Sequence, residues 1–248
     1  MTRSQGFSAS IDRPDLTLIA EMVAPGTRVL DVGCGDGLLL ELLSREKDVD
    51  GRGVEISQEG VSACVGRGLS VIQGNAETDL YDYPDGAFDY VILSLTLPAL
   101  HRPREILLEL LRVGRRAIVS IPNSGFWRHR LHLLFRGRIP DMGAHATEWF
   151  DTPNLHPCTI RDFVMLCRAL GIVIERRAQL DARGRANRFH GTGAFANLFG
   201  EQAVFLLSMK RQRRPPVVRA LRAPAGMALA RSGATILCRT RLPTGRAS

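Results

Sequence analysis

The residues of this 248-residue chain best suited to chemistry are Asp31, Gly33, Cys34, Gly35, Asp36 and Gly37, with a further carboxylate at Glu55. Glycine at three alternate positions permits positive φ and lets a ligand approach the backbone closely. A helix opening near Asp36 aims its unpaired N–H groups at that ligand. Glu55 lies about twenty residues further on, at the end of the next apolar run, where a carboxylate accepts both hydroxyls of a ribose. Ile56 follows it. The ligand implied is a nucleoside. The dinucleotide fingerprint G-x-G-x-x-G is excluded, because Leu38 occupies the place of its last glycine.

The segment Ser94–His101 offers hydroxyls at Ser94 and Thr96 and an imidazole at His101, with no carboxylate. His101 suits a general base near neutral pH, and equally a polar residue just ahead of a helix. His129 and His132 stand three apart with no further ligand spaced to complete a metal site. Cys34, Cys64, Cys158, Cys167 and Cys238 contain no C-x-x-C pair. Reduced thiols and no metal are expected.

The elements that must hold these groups alternate. Arg13–Met22 reads as a leading helix, and Pro25-Gly26 turns the chain into a strand at Arg28–Val32. Leu38–Arg45 is a buried helix, Asp50–Ile56 a strand, and Ser57 the N-cap of the helix after it. Strands follow at Leu69–Gln73, Phe88–Ser94 and Ala117–Ile121, with a leucine-rich helix at Arg104–Val113. Thr159-x-x-Asp162 opens a helix at Ile160–Leu170 with a capping box. Gly171–Arg176 and Ala203–Met209 suit a closing strand pair. The alternation predicts an α/β fold with a doubly wound, mostly parallel sheet of seven strands, the last antiparallel.

Charge is unevenly placed. The formal net charge is +8, yet the ten basic residues from Lys210 onward, with no acidic residue among them, leave residues 1–209 at −2. Residues 1–14 and 211–248 read as flexible or disordered flanks of one domain at 15–210. The arginine-rich tail also suits non-specific contact with RNA or a membrane surface. Nothing in the chain reads as a membrane span or leader, so a cytoplasmic location is expected.

Phe126–Arg138 alternates aromatic residues and leucine with arginine and histidine inside an insertion at about 122–158, as a lid or partner-binding segment does. Phe126 opens that segment, and Trp127, Trp149 and Phe150 suit lid core or a substrate box. Arg128, Arg130, Arg136 and Arg138 suit an acidic partner or a solvated helix face.

Asp31-Val-Gly-x-Gly-x-Gly37 resembles motif I of class I S-adenosylmethionine-dependent methyltransferases. Together with SIPN-x-G-x-W-R-x-R-L-x-L-L-F-R-G-R, WFDTPN-x-H, CTIRDF and GEQAVFLL, the chain from about residue 15 to 210 is similar to the MetW family of methionine biosynthesis. The resemblance implies a methyltransferase fold that binds S-adenosyl-L-methionine or S-adenosylhomocysteine through the glycine loop, Glu55, Ile56, Asn75, Ala76 and Ser94. An acidic residue that accepts from adenine in such folds is replaced here by Asn75. It also implies association with, and activation of, the homoserine O-acyltransferase MetX. Where that family tends to carry glutamine, this chain has Leu95 and Pro98. The alternative is a methyltransferase acting on a small molecule, with His101 as its base.

Overall fold

A computed structural model describes residues 13–140, 155–188 and 194–209. In chain order the elements are α1 (Pro14–Ala20), β1 (Arg28–Val32), α2 (Leu38–Lys47), β2 (Asp50–Glu55), α3 (Gln58–Gly66), β3 (Ser70–Gln73), α4 (Ala76–Asp79) and β4 (Phe88–Ser94). They continue with α5 (Pro103–Val113), β5 (Gly114–Pro122), α6 (Trp127–Arg136), α7 (Ile160–Ala169), β6 (Ile172–Leu180), β7 (Ala186–Arg188), α8 (Ala194–Phe199) and β8 (Gln202–Met209).

The strands form one sheet in the order β3-β2-β1-β4-β5-β8-β6-β7. Strands β1 to β5 pair in parallel, and β8 runs antiparallel between β5 and β6. The sheet has eight strands rather than the seven expected. The extra strand, β7, is three residues that pair with the end of β6. Ala-Asn-Arg has no apolar run, so β7 pairs with β6 through the main chain and leaves no pattern to read.

Period-two alternation sends each strand to two cores. Val91 and Leu93 of β4, with Ala117, Val119 and Ile121 of β5, pack with Ile106, Leu107 and Leu110 of α5 and Phe163 of α7. Tyr90, Ile92 and Ile118, on the opposite pleat, pack with Leu16 and Ile19 of α1 and Leu39 and Leu43 of α2. Burial on both faces explains the apolar runs Tyr90–Leu93 and Ala117–Val119 at the centres of these strands. The Phe163 and Phe205 rings meet at 4.6 Å between centroids and fasten α7 to β8.

Local chemistry sets the helix starts. The Ser57 hydroxyl accepts from the Gly60 N–H at 2.9 Å, and Thr159 with Asp162 forms the full capping box. Helix α2 begins at Leu38 as expected, because Gly37 at φ 81° is still turning the chain, and it runs two residues past Arg45 to Lys47. Strand order reverses between β1 and β4, and a ligand crevice opens at the carboxyl ends of strands at such a point. No helix among the described residues is long and apolar enough to cross a membrane.

Candidate functional site

The loop after β1 and the carboxyl end of β2 are tied together by the main chain, where the Gly33 and Cys34 N–H groups donate to the Val54 carbonyl, and by one side chain. Glu55 is buried; its Oε2 accepts from the Gly35 N–H at 2.8 Å and its Oε1 from the Ser57 N–H at 2.9 Å. An ionised carboxylate has about four acceptor sites, so the two bonds leave acceptor capacity for hydroxyl donors. Gly35 sits at φ 56°, and a Cβ there would meet nothing within 4 Å among the described residues. That open space above a positive-φ glycine is where a ligand can lie against the main chain. Gly60 performs the opposite task. A Cβ on it would stand 2.8 Å from both the Gly35 carbonyl oxygen and the Glu55 Cγ, so only glycine lets α3 approach this close.

Beneath the loop lies Asp31, 2% exposed, whose Oδ1 has no hydrogen-bond partner among the described residues. Burial, with Glu55 adding a second negative charge, pushes its carboxyl up to about 7. The consequence for stability has a definite sign. A carboxyl that holds its proton more tightly when folded favours the folded state at low pH. That advantage is lost as pH rises from about 4 to about 7. The ligand-free protein is therefore expected to lose up to about 4 kcal/mol over that window, three pH units at about 1.4 kcal/mol each. Urea unfolding of the wild type and of Asp31→Asn across pH 4–8 checks this: the difference between the two curves should flatten above pH 7. A difference that does not change with pH would contradict the assignment.

Cys34 and Cys64 pack beneath the same loop, with sulfurs 3.8 Å apart and Cys64 Sγ donating to the Gly35 carbonyl at 3.3 Å. Burial pushes both thiols up, so they remain neutral. Asp36 is at the exposed rim, 3.6 Å from Arg67. Ile56 is exposed at the end of β2.

Asn75 follows β3 beside it. The adjoining Gly74 N–H donates to the Glu55 carbonyl at 3.0 Å. The Asn75 Oδ1 accepts from the Glu77 N–H at 2.9 Å and so caps α4, which begins at Ala76. One lone pair of that oxygen stays open.

The Ser94 and Ser120 hydroxyls are 3.1 Å apart, and Ser120 Oγ also accepts from the Leu95 N–H at 2.9 Å. Leu95 is held at φ 57°, a conformation that costs a non-glycine residue about 1–2 kcal/mol. Strain of this kind collects at functional sites. Thr96 follows, and its hydroxyl lies 3.0 Å from where a Gly33 Cβ would be. The structure thus brings Asp31, the glycine loop, Glu55 and Thr96 to one place.

His101 stands apart from that group. Its side chain is 76% exposed, and its Nδ1 lies 2.9 Å from Glu77 Oε2. Glu77 also accepts from the Arg102 N–H at 3.0 Å. Burial would raise that carboxyl, but the bonds from His101 and Arg102 outweigh it and hold it below the usual range.

The segment after β5 is organised by a residue whose role the sequence did not disclose. Asn123 is buried, and its amide makes four bonds. Nδ2 donates to the Asn197 carbonyl at 2.9 Å and the Gly200 carbonyl at 2.7 Å. Oδ1 accepts from the N–H groups of Gly125 at 3.0 Å and Ile160 at 3.2 Å. One amide therefore fixes the entry to α6, the start of α7 and the end of α8. An asparagine directly after a strand and two residues before a glycine is the only trace of this in the sequence. Phe126 is buried, while Trp127 is exposed, edge-on to the Phe126 ring. Arg128 lies over the Trp127 ring, and Arg130 donates to the Gly125 carbonyl at 2.6 Å. Trp149 and Phe150 lie outside the described residues, as do residues 1–12 and 210–248.

Comparison with known proteins adds three findings. The sequence model of a family described as "Methionine biosynthesis protein MetW" matches residues 13–207. The bifunctional methionine biosynthesis protein MetXA/MetW of Rhodopirellula baltica is 38% identical over 172 residues, covering 66% of this chain and 28% of that protein. The chain thus spans less than a third of that relative's length. Among solved structures, a methyltransferase dependent on S-adenosylmethionine from Thermotoga maritima, described as a possible histamine N-methyltransferase, superposes with a TM-score of 0.58 at 18% identity, covering 79% of this chain and 87% of its own. A second such methyltransferase, from Archaeoglobus fulgidus, gives 0.53 at 19% identity, covering 77% and 93%. At these identities the structural likeness establishes the fold alone.

Proposed function

The chain belongs to the MetW family of methionine biosynthesis proteins, and from that premise we propose that it is an S-adenosylmethionine-binding subunit that associates with a MetX-type homoserine O-acyltransferase and activates it. The observation that carries the partner is the Rhodopirellula baltica relative, whose name joins MetXA and MetW in one protein. Two functions fused in one chain are held at high effective concentration, which suits parts that act together.

The residues of the loop fit the cofactor. Glu55 retains acceptor capacity for the ribose hydroxyls, Gly35 leaves open space against the main chain, and the orphaned Oδ1 of Asp31 suits a cationic group of the ligand. Ile56 offers an apolar surface to the adenine ring, and Asn75 an open lone pair to its amino group. When bound, S-adenosylmethionine supplies a methyl group activated by its sulfonium. In this reading the bound molecule serves as a ligand that reports methionine-derived metabolite to the acyltransferase.

The test is acyl transfer to homoserine by the acyltransferase of the same organism, with and without this chain, each with and without S-adenosylmethionine. The expected result is a gain that requires the chain. No gain in any arm, with both proteins soluble, would sink the reading.

The second reading, a methyltransferase acting on a small molecule, has the His101–Glu77 pair in its favour. A carboxylate on Nδ1 orients an imidazole and leaves Nε2 to take a proton. Methyl transfer to an added acceptor, abolished in His101→Ala, would favour it.

A further inference from the structure

We propose that α6 is the surface through which this chain docks on its partner, presenting apolar side chains edged by arginines to an apolar groove lined with carboxylates. The proposal rests on the accessory-subunit reading above and names the face that such a subunit would use.

None of the ten residues of α6 is buried. Leu131, Leu134 and Phe135 stand at i, i+3 and i+4 and so share one side of the helix. Leu134 is 73% exposed and Phe135 78%, and Ile139 just beyond the helix is exposed as well. These side chains contribute nothing to the cores described above. An isolated helix of ten residues is marginal in water, and a row of exposed large apolar groups marks an interaction site on an otherwise folded domain.

The helix is nevertheless held in place. Arg130 bonds Gly125, and Asn123 fixes the turn that leads into α6. A recognition helix anchored before binding loses less entropy on docking. The Phe195–Phe199 ring pair of α8, also exposed, is joined to the same asparagine through Asn197.

Charge selects the occupant. Residues 124–140 carry Arg128, Arg130, Arg136 and Arg138 and no acidic residue, in a background of −2 for residues 1–209. A second copy of this chain is the poorer fit, because a two-fold contact through α6 would set arginines against arginines. A partner with carboxylates around an apolar groove satisfies both features, in the helix-in-groove mode. The Rhodopirellula baltica relative, whose name joins MetXA to MetW, directs the assignment to the MetX-type acyltransferase proposed above.

The experiment measures binding of the full chain to the acyltransferase of the same organism by calorimetry, with size-exclusion light scattering and circular dichroism alongside. Leu134→Asp with Phe135→Asp should weaken the complex at least 100-fold while leaving the circular dichroism and the cofactor affinity unchanged. Arg136→Glu with Arg138→Glu should weaken it at least tenfold and reduce its salt dependence. If the wild type binds and both variants bind within twofold of it, the docking face lies elsewhere and the proposal fails while the accessory reading stands. If variants of α6 change only the oligomeric state, a second copy occupies the face and the proposal fails. If the wild type does not bind the acyltransferase at all, the accessory reading fails with it.

Discussion

Replacing Glu55 with alanine is expected to weaken S-adenosylmethionine binding by at least 100-fold in calorimetry. The proposed contact is a pair of hydrogen bonds from ribose hydroxyls to a buried carboxylate. Bonds to a charged group contribute about 1.5–3 kcal/mol each, so losing two costs about 3–6 kcal/mol, a factor of roughly 10² to 10⁴. The structure adds a second loss. Glu55 also accepts from Gly35 and Ser57, so without it those two N–H groups lose their acceptor, and only the main-chain bonds from Gly33 and Cys34 to Val54 still hold the glycine loop to β2.

Glu55→Gln separates these effects. The amide keeps the volume, but its NH₂ group must face one of the two main-chain donors, and that donor loses its acceptor. Its cofactor affinity should fall about tenfold to 100-fold. Binding by Glu55→Ala within threefold of wild type would remove the nucleoside reading of the loop.

The other large effect concerns stability. Asn123→Ala is expected to destabilise the protein by about 3–5 kcal/mol in chemical denaturation. The substitution strands two N–H donors, on Gly125 and Ile160, and two carbonyls, on Asn197 and Gly200, in a site where the side chain itself is 1% exposed. Each buried group left without a partner costs about 1–3 kcal/mol, and water entering the space left behind returns part of that. Asn123→Asp is a sharper probe, because its carboxylate can still accept from the two N–H groups but stands against the two carbonyls. That variant should be more stable at low pH, where its protonated form can donate to one of them. A loss under 1 kcal/mol in Asn123→Ala would mean that α6, α7 and α8 are positioned by packing alone.

The two residues differ in how far the chain announced them. The place of Glu55 beside the glycine loop was legible because it follows from spacing along the sequence: a glycine loop, one helix, and a carboxylate at the end of the next strand. The sheet was legible for a related reason. Strand centres such as Tyr90–Leu93, buried on both faces, must be apolar, and the capping box at Thr159 and the turns between elements are local chemistry. Motif I and the runs around SIPN carried the family as well.

What stayed hidden involves partners far apart in the chain. Asn123 reaches residues 74 and 77 positions away, so no window of sequence holds its bonding pattern. The pairing of His101 with Glu77 spans 24 residues, and it places on the surface an imidazole that sequence alone allowed as a base. Strand β7 exists because β6 offers it an unpaired edge. The buried state of Asp31, which raises its carboxyl, depends on what the neighbouring strands and helices pack over it. By itself the sequence determined the sheet, the glycine loop and the family, because periodicity and short-range spacing act through neighbours in the chain. Tertiary structure alone decided which polar groups are buried, which are satisfied and which helix is left with its apolar face in water, because those outcomes depend on contacts between segments that no local pattern records.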